Sequence, residues 1–349
     1  RGQWFDPTSR YHILIMKSLT TRSGLKIQVP ENLEEDNTVR FDIKDLDKAN
    51  EYYLEFGYVI IKNIVSESQC NLIRDLWNNT IKKYHGKIYR QTTGKAEKNI
   101  FNEHKWVMNP VLNLQSINPY KFSQLRDYVE KNIFNNFKLC SFLKKNFNNK
   151  PKIIQSMYFE GNSATHEHQD SYYLDSEKIG NLTAAWIALE EIKADAGRFF
   201  VCVNSHKIDM KKLKFYNNIL SNHKEYVNEF ISICKKNDLE FKAPYLDQGD
   251  VLFWNSKTLH GSLNSQSQTD SRSSITLHAI PFEENYLHWH KRLIDTPVDD
   301  LGESFIYRRK DQKLFINRFI LFFEENFPNL FYFLKKNIIK IFFKQEHYN

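Results

Sequence analysis

Thr165-His166-Glu167-His168-Gln169-Asp170 is the stretch from which both the fold and the chemistry of this chain can be read. On an extended backbone, residues two apart share a face. His168 and Asp170 can therefore converge on one point, with His166 on the same side. Two imidazoles and one carboxylate on one face of an octahedral ion form the facial triad of non-haem iron(II) oxygenases, so a second histidine must come from elsewhere. Spacing alone is weak evidence. With 12 histidines and 42 acids in 349 residues, chance supplies about 1.4 His-x-acid pairs, and the chain has two. The other, His223-Lys224-Glu225, falls in a helical stretch, where residues two apart point to roughly opposite sides.

The complement lies downstream. His260-Gly261-Ser262-Leu263-Asn264 follows the strand-like run Val251-Leu252-Phe253-Trp254 and offers the distal histidine. Arg272, 12 residues further on, opens the next strand. A guanidinium there can grip the far carboxylate of a 2-oxo dicarboxylic acid bidentately while the keto-acid end chelates iron. A buried arginine with no anion would be costly, so a carboxylate partner makes physical sense.

Around these residues the chain reads as short strands rich in β-branched and aromatic residues: Ile153 to Phe159, Leu182 to Leu189, Arg198 to Val203, Val251 to Trp254 and Ile275 to Ile280. Glycine turns such as Gln248-Gly249-Asp250 separate them. This pattern predicts a mainly β core of sandwich or jelly-roll type with flanking helices. Upstream, a helix over Ala49 to Phe56 leads through Gly57 into Tyr58-Val59-Ile60-Ile61. Ser66-Glu67-Ser68-Gln69 is a capping-box pattern opening a helix to about Tyr84. Met210 to Asn237 reads as a lysine-rich helical insertion. After Pro281 the chain reads as helical to its end, divided by Pro328. The expected organisation is an N-terminal extension (1–48), a jelly-roll domain (49–282) and a C-terminal helical extension (283–349).

Composition narrows the class. Hydrophobic residues make up 41%, charged residues 26% and aromatics 15%, a globular profile. Cys70, Cys140, Cys202 and Cys234 are scattered without metal-finger or disulfide spacing and read as reduced thiols, as in a cytoplasmic setting. The net charge of +7 accompanies abundant Lys, Asn, Ile, Phe and Tyr, the signature of an AT-biased genome. No run of basic residues interleaved with stacking aromatics occurs, so no nucleic-acid partner is expected. No apolar run reaches the length of a transmembrane helix, and Arg1-Gly2-Gln3-Trp4 lacks the shape of a signal peptide.

Taken in order, His168-x-Asp170, His260-Gly-Ser-x-Asn264 and Arg272 resemble the motifs of the phytanoyl-CoA dioxygenase family. Phe56-Gly57-Tyr58-Val59-Ile60-Ile61 is similar to that family's opening strand. Gly249-Asp250-Val251-Leu252-Phe253 looks like the strand before its distal histidine, and Ala185-Trp186-Ile187-Ala188-Leu189 like the segment whose tryptophan lies beside 2-oxoglutarate. The resemblance covers about residues 50 to 282. Two departures, Asn204 in Asn204-Ser205-His206 and Ala196-Gly197-Arg198 where Asn-Gly is common, affect a loop and not the proposed ligands.

The resemblance implies a double-stranded β-helix that uses Fe(II), 2-oxoglutarate and O2, releases succinate and CO2, and oxidises a substrate C–H bond. His168, Asp170 and His260 would hold the metal. Arg272 would hold 2-oxoglutarate, with Trp186, Gln155 and, more weakly, Ser274 as further contacts. The presence of Asp170 points to hydroxylation or a related oxidation, because halogenation in related enzymes needs that carboxylate absent. Tyr172, Tyr173 and Arg198 are candidate substrate contacts for a small-molecule or a carrier- or lipid-linked substrate.

Three alternatives stay open. His166 and His168 could form a cupin-like His-x-His pair, the chain could be a binding module without turnover, or it could be a nucleic-acid demethylase. His288-Trp289-His290 has ligand-like spacing but precedes Lys291-Arg292 and reads as surface; His206 reads as structural, and His278 as a last-core-strand residue. The Phe- and Ile-rich stretches Leu314 to Phe323 and Asn329 to Phe343 either cover the barrel or form a dimer contact, or lie as an amphipathic pair on an anionic membrane.

Overall fold

The computed structural model describes residues 16–343 except 162, 220, 268 and 291. Eight strands build its centre: β1 (Tyr58–Ile61), β2 (Pro151–Phe159), β3 (Ser163–His168), β4 (Thr183–Ala188), β5 (Phe199–Cys202), β6 (Val251–Asn255), β7 (His260–Asn264) and β8 (Ser274–Pro281). They form two sheets. In the larger, β2, β8, β4, β6 and β1 lie side by side and antiparallel; in the smaller, β5, β7 and β3 do so. The two facing sheets are the jelly roll that the strand pattern predicts.

Alternation along the larger sheet sorts its side chains. Val59, Ile61, Ala185, Ile187, Val251, Phe253, Ile275 and Leu277 point outward. There α1 (Leu46–Phe56), α2 (Glu67–Asn79) and α3 (Phe137–Phe147) cover them. Ile60, Ala184, Trp186, Leu252 and Trp254 point inward, where Phe199 and Val201 of the smaller sheet meet them. Both faces of the sheet are buried, which explains the near-continuous apolar runs. Gly57 ends α1 at φ +81°, a conformation open to glycine, and its N–H bonds the Tyr53 carbonyl. The Ser66/Gln69 capping box forms as read, but α2 stops at Asn79, short of Tyr84.

The extensions differ from expectation. Residues 1–15 and 344–349 lie outside the described residues, yet Lys17–Thr20 and Lys26–Val29 form a hairpin. Its Leu19, Ile27 and Val29 pack on Phe200 and Leu263 of the smaller sheet. Past Pro281 the chain is not helical throughout. Tyr286–His288, Arg292–Ile294, Val298–Asp300 and Phe305–Tyr307 are strands, the last running parallel to β2 at the sheet edge. Three-residue strands carry too few alternations to announce themselves, and it is the open edge that selects them. Helices return only as α5 (Phe315–Asn326) and α6 (Pro328–Phe343), after α4 (His223–Lys236) in the lysine-rich insertion. Among the described residues no helix is long and apolar enough to cross a membrane.

Candidate metal centre

The register of the smaller sheet assembles the centre. His168 ends β3 directly opposite His260 at the start of β7, and the two rings lie 4.2 Å apart, centroid to centroid. A bulge follows, with one extra residue on β3 between the His260/His168 and Ser262/Thr165 pairs, the kind of irregularity that re-aims side chains beside functional sites. Gly261 fits there because a Cβ would approach the Thr165 carbonyl to 2.9 Å and the Phe200 ring to 2.7 Å.

The alternation around His168 is complete. The odd-numbered residues are anchors. Glu167, 1% exposed, accepts from the Thr21 and Ser23 hydroxyls of the N-terminal hairpin. Gln169 donates to the Lys257 carbonyl and accepts from the Tyr226 hydroxyl of α4. His168 and Asp170 are thereby turned into the cavity. Nitrogen and oxygen atoms of His168, Asp170 and His260 all lie within 4.8 Å of one another.

Both ligand histidines have a fixed tautomer. His168 Nδ1 faces the His166 carbonyl at 2.8 Å and His260 Nδ1 faces the Thr258 carbonyl at 2.9 Å. A carbonyl only accepts, so each Nδ1 carries the proton and each Nε2 lone pair is free for a metal. Burial, reinforced by His260, pushes His168 down to about 3, so its imidazole is neutral at physiological pH. Burial works to raise the Asp170 carboxyl, but the His260 and His278 imidazoles outweigh it and hold Asp170 well below the ordinary carboxylate range. His166, by contrast, has a mostly exposed side chain whose nearest charged group is Glu167 at 3.9 Å. The set that converges is therefore the two-histidine, one-carboxylate one and not His166-x-His168.

Two neighbours of Asp170 escaped the sequence reading. Trp254 Nε1 donates to its Oδ2 at 2.8 Å, and His278 on β8 brings Nε2 to 3.4 Å from Oδ1. Trp254 thereby leaves Oδ1 as the oxygen turned toward His168 and His260. Trp254→Phe keeps the ring and removes that donor. Its expected effect is iron(II) binding about 10–100-fold weaker, the usual cost of losing a group that orients a ligand. Competition against a chelator measures it, and unchanged affinity would remove Trp254 from the account.

Arg272 opens on the same cavity, of about 550 Å³. It is 2% exposed, and Nη1 donates to the Gly197 carbonyl at 3.0 Å. Its guanidinium lies 5.2 Å from the Phe159 ring and 5.8 Å from the Trp186 ring. Nε has no partner, and no carboxylate pairs with the group among the described residues. Burial alone pushes it down to about 9. Gln155, Trp186 and Tyr173 line the cavity.

Three expected contacts do not hold. Ser274 turns its hydroxyl back to the Arg272 carbonyl at 3.1 Å and does not line the cavity. Arg198 precedes Phe199, which faces His260. Alternation sends Arg198 the other way, where it donates to the Pro30 and Ile192 carbonyls. Tyr172 stands behind Tyr173, its hydroxyl on the Ile219 carbonyl. Tyr173 instead sits over His168, ring to ring 5.7 Å, and its hydroxyl pairs with His223 Nε2 at 3.0 Å. The surface reading of His288 and Trp289 is also corrected. Tyr286–His288 pairs with Leu174–Ser176, just past the metal segment, and so brings both side chains into the cavity wall.

Fold and site together define a jelly-roll protein with a candidate two-histidine, one-carboxylate metal centre and a buried arginine beside it. The family model for phytanoyl-CoA dioxygenase (PhyH) matches residues 53–274, and the chain belongs to that family. No curated protein matches it by sequence. Among solved structures it is similar to the non-heme alpha ketoglutarate dependent carbocyclase SnoK from nogalamycin biosynthesis (16% identity, 71% of this chain and 89% of that one, TM-score 0.52). It is also similar to the epimerase SnoN in complex with Fe3+, alpha ketoglutarate and nogalamycin RO (13% identity, 76% and 99%, TM-score 0.52). At these identities the likeness is one of fold.

Proposed function

We propose that the protein is an Fe(II)- and 2-oxoglutarate-dependent dioxygenase that oxidises a C–H bond of a small-molecule substrate. The observation that carries this reading is Arg272: a guanidinium buried beside the candidate metal ligands, with an unpartnered Nε and no carboxylate among the described residues to neutralise it. Such a group is stable when a ligand supplies the anion. The donor set fits iron(II), being two imidazoles and one carboxylate that converge on one side.

His168, Asp170 and His260 would hold the metal by three positions and leave the rest to cosubstrate and oxygen. Arg272 would take the distal carboxylate of 2-oxoglutarate, with Trp186 and Phe159 as apolar walls that keep water from this ion pair. Bound there, iron(II) and 2-oxoglutarate would supply, with O2 as oxidant, an oxidative decarboxylation that gives succinate and CO2 and leaves the second oxygen atom for oxidation of a substrate C–H. Tyr173, Gln155, His288 and Trp289 line the remaining cavity and would orient the substrate. That SnoN was solved with nogalamycin RO supports a small-molecule substrate.

The test is anaerobic. Addition of Fe(II) and then 2-oxoglutarate to metal-free protein should give the weak visible metal-to-ligand charge-transfer band, absent in His168→Ala. Iron binding without the band would overturn the dioxygenase reading.

A further inference from the structure

Helix α5 is built the wrong way round for a helix that covers a core. Its one buried residue is a glutamate, Glu324, 3% exposed. That carboxylate accepts from the Tyr89 and Tyr332 hydroxyls and from the Ala96 N–H. Its large apolar side chains face solvent: Phe315 is 74% exposed, and Ile316, Phe319 and Phe322 are all more than half exposed. Phe315, Phe319 and Phe322 follow the i, i+4, i+7 spacing of one helical stripe. The stripe continues across the turn through Phe327 and on to Leu330 and Phe333 of α6. None of the described residues covers it, and this face does not shield the barrel. A contiguous exposed apolar face of this kind marks an interaction surface.

The charges around the face favour one partner. Lys313, Arg318 and Lys336 are exposed beside it, while the only acids of the two helices, Glu324 and Glu325, are turned inward or half-buried. A second copy of the chain would bring these like charges together. An anionic bilayer would pair them with lipid headgroups while taking the phenylalanines into its acyl boundary. The position adds to this. Glu324 holds α5 on the Ile88–Tyr89 and Ala96–Glu97 strands, whose connecting turn, Gln91 to Gly94, lines the cavity of the candidate metal centre together with Arg309.

We propose that α5 and α6 are a docking surface for an anionic membrane and that they set the rim of the active-site cavity beside the lipid. The docking itself does not depend on the dioxygenase reading, because it involves none of the candidate metal or cosubstrate residues. If both hold, the substrate is an amphiphile taken from the membrane surface.

Flotation tests the docking with metal-free and iron-loaded protein alike. The protein should rise with phosphatidylcholine vesicles containing phosphatidylserine, remain below with phosphatidylcholine alone, and be released by high salt. Phe315→Ser/Phe319→Ser/Phe322→Ser and, separately, Arg318→Glu/Lys336→Glu should each lose flotation while keeping the wild-type circular dichroism spectrum. Because all five side chains are at least part-exposed, these changes leave the core intact. Wild-type protein that stays below with anionic vesicles would overturn the proposal. So would a concentration-dependent dimer in sedimentation that the triple phenylalanine variant abolishes, since the face would then belong to a second copy.

Discussion

Arg272→Leu should lose 2-oxoglutarate while keeping iron. The guanidinium is buried, donates to the Gly197 carbonyl and pairs with no carboxylate among the described residues. Removing it strips the distal carboxylate of its only charged partner in a dry part of the cavity. Truncating one member of a buried charged pair weakens binding by about 10²–10³-fold. Leucine fills much of the same space, so the protein should remain folded and its iron(II) affinity should stay near wild type. Titration of the anaerobic charge-transfer band gives both quantities. Arg272→Lys separates charge from shape: it restores the cation without the planar fork and should recover part of the affinity. Wild-type affinity for 2-oxoglutarate in Arg272→Leu would show that the anion lies elsewhere.

The second large effect falls on the metal. His260→Ala removes a donor whose Nε2 lies 3.5 Å from Asp170 Oδ1 and whose ring stands beside His168. Iron(II) affinity should fall by more than the about 10–100-fold expected for an outer contact such as Trp254, and turnover should vanish with it. Metal analysis after gel filtration distinguishes this from Arg272→Leu, which should retain its iron. Full iron occupancy in His260→Ala would remove the distal histidine from the ligand set.

These two residues stood out in the sequence because His260 opens a strand and Arg272 lies two residues before another, and both strands have plain patterns. His168 and Asp170 were legible for a different reason: a spacing of two carries a definite geometric meaning on an extended chain. What stayed hidden was everything that depends on which strand lies beside which. His288 and Trp289 carry no local mark of a cavity wall. Only the pairing of a three-residue strand with Leu174–Ser176 puts them there. Trp254 reads as a core aromatic, and so it is, but its indole N–H happens to meet Asp170.

Arg198 was misjudged by one position: adjacent residues on a strand point opposite ways, so Phe199 faces the cavity in its place. Of the two tyrosines named together, Tyr173 lines the cavity and Tyr172, its neighbour in a short helical turn, does not. The helical reading of 283–314 failed because very short edge strands are chosen by the partner that awaits them, and not by their own preference.

The hairpin at residues 17–29 changes where this enzyme unit begins. The family match starts at residue 53, and a fragment cut at that boundary would appear complete by every motif. It would lack Thr21 and Ser23, leaving Glu167, a carboxylate next to a candidate iron ligand, buried without the hydroxyls that satisfy it. Each hydrogen bond to a charged group contributes about 1.5–3 kcal/mol. Part of the stretch that reads as an N-terminal extension is thus a brace for the strand that carries His168, and it lies outside the family match.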